Sequence, residues 1–298
     1  MDKFKAMQTV VSIADHGSLT AAASALNTSL PAVVRTLAAL EKQLGVRLFN
    51  RTTRRIAPTE EGRYYLDKCR QLLTTLKDVE SALNNDLSEP SGLLTVTAPV
   101  QFGQMYVAPA VTRFVQQYEK MRINLILLDR ITNLVEENID VGIRIGALED
   151  SSLIAHQVGL LNRMVVASPD YLHERTLPQH PRDLLQANCI RFSGGSGPWW
   201  TFYEDGKKLN VPVTGNLEFN QVAPAADACL AGLGYGMFIS YQVAPHIAQQ
   251  RLQVVLEAFQ PPPRPINVVY PSAHQLPART KVFIAWMKDS LRNMQNSI

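Results

Sequence analysis

Six histidines, three cysteines and two glycine-rich runs are the residues of this chain that could support metal or covalent chemistry. Their spacing supports neither. No H-x-x-x-H pair exists, and Cys69, Cys189 and Cys229 lie far apart, so no metal set is expected. The run "GGSG" (194–197) lacks the Gly-Lys-Ser/Thr of a phosphate loop. The run "GLGYG" (232–236) follows a helical pattern and enters a strand pattern, which suits a tight turn rather than a dinucleotide fingerprint. No G-x-S-x-G elbow occurs, and the cysteines have no evident base partner. The sequence therefore predicts no catalytic group and no cofactor. Recognition remains, and its residues fall in two groups: arginines near the N-terminus and polar residues at the ends of apolar runs further on.

The basic group sits on a charge asymmetry. Residues 1–63 carry nine Lys and Arg against five Asp and Glu, whereas the rest carries 20 against 21. A basic head on a near-neutral body predicts a polyanionic partner for the head. The elements that would hold these charges read clearly. Phe4, Met7, Val11 and Ala14 recur at helical spacing, and Gly17 closes that helix. Ser18 caps a second helix rich in alanine (Ala21, Ala22, Ala23, Ala25), whose small side chains let a neighbouring backbone approach. Ser29 caps a third, with Pro31 in its first turn, a stripe of Val33, Leu37, Leu40 and Leu44, and Gly45 at its end. Residues 46–49 and Ile56 then read as two short strands around "NRTTRR".

This is the pattern of a helix-turn-helix with a basic hairpin wing, and it implies DNA binding. The expected contacts are Ser18, Thr20, Ser29, Leu30, Pro31, Ala32, Arg35 and Thr36 from the helices, and Arg51, Thr52, Arg54 and Arg55 from the wing. A helical bundle with a solvated charge run is the plainer alternative.

Thr59 caps a long helix with Glu60 and Glu61 at its positive end, running to about residue 87. Tyr65, Cys69, Leu72, Leu76, Val79 and Leu83 are spaced 4, 3, 4, 3 and 4 apart, a heptad seam that predicts dimerisation. Beyond Gly92, short apolar runs alternate with helical patterns: "LLTVTA", "INLILLD", a short helix near Leu134, "DVGIRIG", "RMVVAS", "CIRF", "VTGNLEF", "YGMFIS" and "PINVVY", then a closing helix. Alternation of this kind predicts mostly parallel sheets flanked by helices, and the length predicts two lobes. The stretches "FQPPPRP" (259–265) and 161–164 read as crossovers between them. Ligands in such sheets bind beyond the carboxyl ends of the strands. That rule selects Thr97, Pro99, Gln101, Phe102, Arg144 and Gly146 in one lobe and Phe192, Ser193, Asn220 and Gln221 in the other. The set suits a small carboxylate or aromatic acid. Trp199 and Trp200 read equally as cleft edge or core.

The expected division is a DNA-binding head (1–58), a linker helix (59–89) and an effector domain (90–298). Its lobe I is residues 93–162 with 266–298, and lobe II is residues 163–265. No apolar run is long enough to span a bilayer, and the N-terminus lacks a signal-peptide pattern, so a cytoplasmic location is expected. A transport solute-binding protein and an α/β enzyme are the competing classes. The basic head and the missing leader pattern argue against the first, and the lack of an acid–base or nucleophile set argues against the second.

The segment "GSLTAAASALNTSLPAVVRTLAALEKQLGVRLFNRTTRRIAPTEEG", followed by "DVGIRIG", "ASPDYL" and "CLAGLGYGMF", resembles the LysR-type transcriptional regulators over nearly the full length. The resemblance implies an α+β multidomain protein. It would have a winged helix-turn-helix, a dimerising linker helix, and a two-lobed effector domain like that of periplasmic binding proteins. It also implies tetramers, double-stranded DNA and a small-molecule effector as partners, and RNA polymerase as a candidate contact. Arg35 matches the family pattern and its phosphate contact. Leu30 stands where the family often has glutamine, and Val34 where it has serine, so Leu30 would offer a base only apolar contact.

Overall fold

The computed structural model describes residues 2–51, 56–83, 89–148, 152–173, 175–193, 199–272 and 276–295. The chain forms two units, Met1–Ser88 and Glu89–Ile298.

In the first unit, α1 (Lys3–His16), α2 (Leu19–Ala25) and α3 (Leu30–Leu44) pack around Ala6, Val10, Ile13, Ala22, Val33, Leu37 and Leu40, all buried. The caps form as their residue types dictate. Asp2, Ser18 and Ser29 side chains accept from the backbone N–H of Lys5, Ala21 and Ala32. Gly17 and Gly45 end α1 and α3 in the left-handed region, at φ +63° and +72°. Leu44 is not on the buried stripe. At the helix end it is 38% exposed.

The wing strands are β1 (Phe49–Arg51) and β2 (Ile56–Pro58), antiparallel with Phe49 opposite Pro58. They start later than the pattern at 46–49 predicts, because Val46 faces solvent whereas Leu48 and Phe49 fill the core. A Glu41 carboxylate oxygen accepts from the N–H groups of Leu48 and Phe49 at 2.8 and 3.3 Å and holds this entry segment on α3.

Helix α4 (Glu60–Leu83) is capped by the Thr59 hydroxyl, which accepts from Gly62 N–H at 2.9 Å. Its 24 residues span about 36 Å. Residues 84–87, expected to continue it, lie outside the described residues.

The second unit holds two five-stranded sheets. Lobe I begins with β3 (Gly92–Ala98), α5 (Val100–Phe102), a π-helical turn (Gly103–Val107) and α6 (Ala108–Gln117). It continues with β4 (Met121–Leu127), β5 (Val141–Ile145) and β6 (Leu153–Leu161).

The chain then crosses at Asn162 into lobe II. There β7 (Arg163–Ala167), α7 (Pro169–His173), a 3₁₀ turn (Pro181–Gln186), β8 (Cys189–Phe192) and the hairpin β9 (Trp199–Glu204) and β10 (Lys207–Pro212) follow. After these come β11 (Glu218–Phe219), α8 (Val222–Leu230), β12 (Tyr235–Ile239), α9 (Ser240–Ala248) and β13 (Gln253–Val255). A 3₁₀ turn (Glu257–Phe259) leads back to β14 (Arg264–Pro271) and α10 (Ala278–Gln295) in lobe I.

The sheet orders are β4-β3-β5-β14-β6 and β11-β8-β12-β7-β13. In each, two pairings are parallel and two antiparallel, because one strand, β14 or β7, runs against the other four, so the sheets are mixed rather than mostly parallel. Strands joined through a helix come out parallel. Those that enter a lobe at a crossover, β7 and β14, run the other way.

The short helix expected near Leu134 is instead a run of turns. Asn133 Oδ1 accepts from Val135 and Glu136 N–H, and Asn138 has φ +53°. Trp200 belongs to the lobe II core, whereas Trp199 is half exposed.

Candidate functional site

In the first unit the N-terminal turn of α3 is presented outward. Leu30, Pro31 and Arg35 are exposed, and Leu30 is 40% accessible despite being apolar. Thr20 on α2 is exposed, and Ser18 is half-buried as a cap. Ala32 and Thr36 line a shallow groove with Thr28 and, from α1, Lys5 and Gln8. Free N–H groups at a helix start, a hydroxyl cap and a nearby guanidinium make a surface suited to phosphate oxygens and base edges. The side chain of Arg51 and all of Thr52, Arg54 and Arg55 lie outside the described residues.

The seam on α4 divides. Cys69 is fully buried in the core of its own unit, and Tyr65 packs on the same cluster. Cys69 is therefore covered within its own unit, where α1 packs on α4, and Tyr65 is partly covered there. Arg70 Nη2 donates to Asp15 at 2.6 Å across the same contact. Burial raises both the Tyr65 phenol and the Cys69 thiol. Further on, Leu72 is 52% and Leu76 37% exposed, beyond the reach of α1. The side chains of Val79 and Leu83 lie outside the described residues.

In lobe I the predicted residues gather at the carboxyl ends of β3 and β5. Pro99 is the N-cap of α5, where Val100 N–H donates to Asp129 at 3.0 Å. Gln101 Oε1 is buried with no hydrogen-bond partner among the described residues. Arg144 donates to the Thr132 hydroxyl. Its affinity for the proton is lowered by burial and by Arg130, and raised by Glu137. Gly146 sits at φ +115° and its carbonyl accepts from Asn267 Nδ2 at 3.4 Å.

Two positions differ from expectation. Phe102 is fully buried in the lobe I core, edge-on to Tyr241 at 5.2 Å and against Tyr106 at 5.1 Å. Enclosed by Tyr106 and by Tyr241 of α9, its ring does not reach an open surface. Thr97, on the central strand β3, is also fully covered, and its hydroxyl has no partner among the described residues.

In lobe II, Phe192, Ser193, Asn220 and Gln221 come together where β8 and β11 end and α8 begins. Phe192 pairs with Phe219, and the Ser193 hydroxyl donates to the Phe219 carbonyl at 3.2 Å. Gln221 is the N-cap of α8, but its side chain makes no capping bond.

Three groups escape the strand-end rule. Asn267 is buried beside Arg144, its register partner. Arg163 and Arg264 are half-buried at the first residues of β7 and β14. A Cβ added to Gly146 would lie 3.7 Å from Arg264 Cζ, so this guanidinium covers the end of β5. Burial and the charge of Arg264 push Arg163 down to about 10. Both arginines fall inside the stretches that read as crossovers. A charged residue in a stiff connecting segment was the available signal.

The described residues contain no group of three or more His, Cys, Asp or Glu placed to hold a metal ion, and no helix long and apolar enough to cross a membrane.

Comparison with known proteins gives this arrangement a family. Residues 4–63 match the bacterial regulatory helix-turn-helix protein model of the lysR family, and residues 87–292 match the LysR substrate binding domain. An HTH-type transcriptional repressor of Pseudomonas aeruginosa is 35% identical over 97% of this chain and 92% of its own. The regulator PtxR of the same species is 33% identical over 94% of this chain and 90% of its own. Among solved structures, CrgA, a LysR-type transcriptional regulator from Neisseria meningitidis, aligns with a TM-score of 0.62 at 28% identity, covering 96% of this chain and 98% of that one. These proteins are transcriptional regulators rather than enzymes. The chain, with a helix-turn-helix unit ahead of a two-sheet effector-binding unit, belongs to the LysR-type family of DNA-binding transcriptional regulators.

Proposed function

We propose that this regulator reads a dyad-symmetric operator as a dimer or tetramer and is controlled by a small molecule bound between its two lobes. The observation that carries the DNA half is the outward N-terminal turn of α3, where Leu30, Pro31 and Arg35 are exposed beside a capped helix start. Arg35 and the wing residues Arg51, Thr52, Arg54 and Arg55 would hold phosphates. Leu30 would touch a thymine methyl or nothing. Leu72 and Leu76, exposed apolar residues in register on a helix, support pairing with a second copy, which would bring two reading helices to two half-sites. The Gln101 oxygen, without a hydrogen-bond partner among the described residues, Arg144 and the Ser193–Gln221 cluster support an effector site at the strand ends. A small carboxylate or aromatic acid suits these groups. RNA polymerase contact and a cytoplasmic location follow from this reading.

The test is a footprint on the DNA upstream of the regulator's own gene, at two salt concentrations. A protected, dyad-symmetric site that weakens steeply with salt is the expected result. Weak protection independent of sequence would count against a local operator.

A further inference from the structure

Arg163 and Arg264 occupy the two segments that join the lobes. Arg163 opens β7, the first strand of lobe II, and Arg264 opens β14, on which the chain re-enters lobe I. Arg264 is paired in register with Leu161, two residues before Arg163, so the two crossovers run side by side. Both side chains are half-buried, and they repel one another. Neither makes a hydrogen bond or ion pair among the described residues. Lone, partly desolvated like charges are destabilising, and proteins ordinarily neutralise such groups with a carboxylate. Among the described residues no acidic side chain does so here.

We infer that Arg163 and Arg264 form a two-guanidinium receptor for the oxyanion group of a small ligand, held at the crossovers beside Gly146. The inference rests on the effector-cleft reading and deepens it by naming the ligand's chemistry: a carboxylate, sulfate or phosphate group. Guanidinium forks match such oxygens in plane and in spacing. Because one arginine begins lobe II and the other re-enters lobe I, an anion between them joins the two lobes. Neutralising the repulsion draws the crossovers together, so occupancy favours one setting of the lobes over the other.

The experiment measures the thermal midpoint of the full chain with sodium chloride, sulfate, phosphate or benzoate at matched ionic strength. The proteins are the native chain, Arg163→Gln, Arg163→Met and Arg264→Gln. One of the three oxyanions is expected to raise the native midpoint above the chloride value. Without oxyanion, the variants should melt higher than the native chain, because a repulsion is gone; an ordinary structural arginine would give the opposite. Their oxyanion affinity should fall on the order of tenfold or more, the loss expected for one charge-assisted contact. Arg163→Met keeps the apolar stem, so a packing defect in Arg163→Gln is recognisable.

An unchanged oxyanion response in the variants, a lower midpoint in all of them, or no oxyanion-specific rise in the native chain overturns the assignment. Failure of the cleft reading looks different. The oxyanion response would then depend on the arginines but be indifferent to Asn220→Ala in lobe II.

Discussion

Gly62 is the point where the wing is fastened to the long helix, and replacing it tests how that fastening works. It lies in the first turn of α4, buried against the segment that enters β1. A Cβ placed there would stand 2.0 Å from the Leu48 carbonyl oxygen and 2.9 Å from its carbon. The same oxygen accepts from Thr59 N–H at 3.0 Å, and Leu48 N–H is held by Glu41. An ordinary contact needs roughly 3.5 Å, so the backbone must retreat by about 1.5 Å. That strains two hydrogen bonds that anchor the wing. Overpacking of this kind costs about 1–3 kcal/mol, and each weakened bond adds up to about 1 kcal/mol. Alanine returns about 1 kcal/mol in helix propensity. The net for Gly62→Ala is a loss of roughly 2 kcal/mol in the first unit. Hydrogen exchange of amides in α1 and α4 measures it as a protection decrease of about thirtyfold. Affinity for operator DNA should fall with it. Gly17→Ala is the control: its φ is positive, but nothing lies within 4 Å, so only the backbone cost of roughly 1–2 kcal/mol applies. Protection equal to the native chain's in Gly62→Ala would refute the close-approach reasoning.

Leu76→Asp should convert dimers to monomers in sedimentation velocity, since it sets a charge into an apolar seam; persistent dimers would place the interface elsewhere. Arg35→Ala should weaken binding to all DNA and reduce the salt slope by about one unit, as measured by gel shift over a salt series. Burial, and then Lys288 and Arg292, hold His156 below its ordinary value of 6.5, and its ring bonds the Tyr270 hydroxyl at 3.0 Å. The unfolded chain therefore takes up that proton first as pH falls through about 6.5, so stability declines below that point and levels off below the folded value. In His156→Phe, urea midpoints across this range should lose that part of the decline. The Cys189 and Cys229 thiols are pushed up to about 12 by burial. They should resist iodoacetamide in mildly alkaline buffer and react once the chain is unfolded, and rapid labelling of the native protein would count against their burial.

The helices of the first unit were legible because their signals are local. Ser18, Ser29, Thr59, Gly17 and Gly45 act within a few residues of themselves, and each performs the capping role its type favours. The fate of Tyr65 and Cys69 was not legible, because heptad spacing shows which residues share a helix face and not which neighbour covers it. Strands β6, β9, β10 and β13 were missed for a related reason. They carry mixed burial along their length, and β6 finds its place only through β14, which arrives from far along the chain. The residues that the strand-end rule selected, Arg144, Gly146 and the Ser193–Gln221 cluster, do lie at strand ends, as local pattern predicts. The rule did not select Asn267 or the two crossover arginines, whose positions follow from two distant segments running side by side. It also selected Phe102, the last residue of α5, whose ring packs edge-on against Tyr241 from far along the chain.

Strand β14 lies between β5 and β6 in the finished lobe I. A ribosome makes those two strands first, then roughly a hundred residues of lobe II before Arg264 appears. At about 5–20 residues per second, the gap lasts on the order of 5–20 s. During that time β5 and β6 have open edges and no central partner, and the apolar faces of Val141, Ile143 and Val158 are uncovered. Lobe II can complete its sheet in this interval, since all five of its strands lie within the inserted stretch. The newborn effector domain thus matures from its middle outward. A chaperone that shields nascent strands has its target in residues 141–161, and a truncation just before β14 leaves a folded lobe II attached to a sticky, unfinished lobe I.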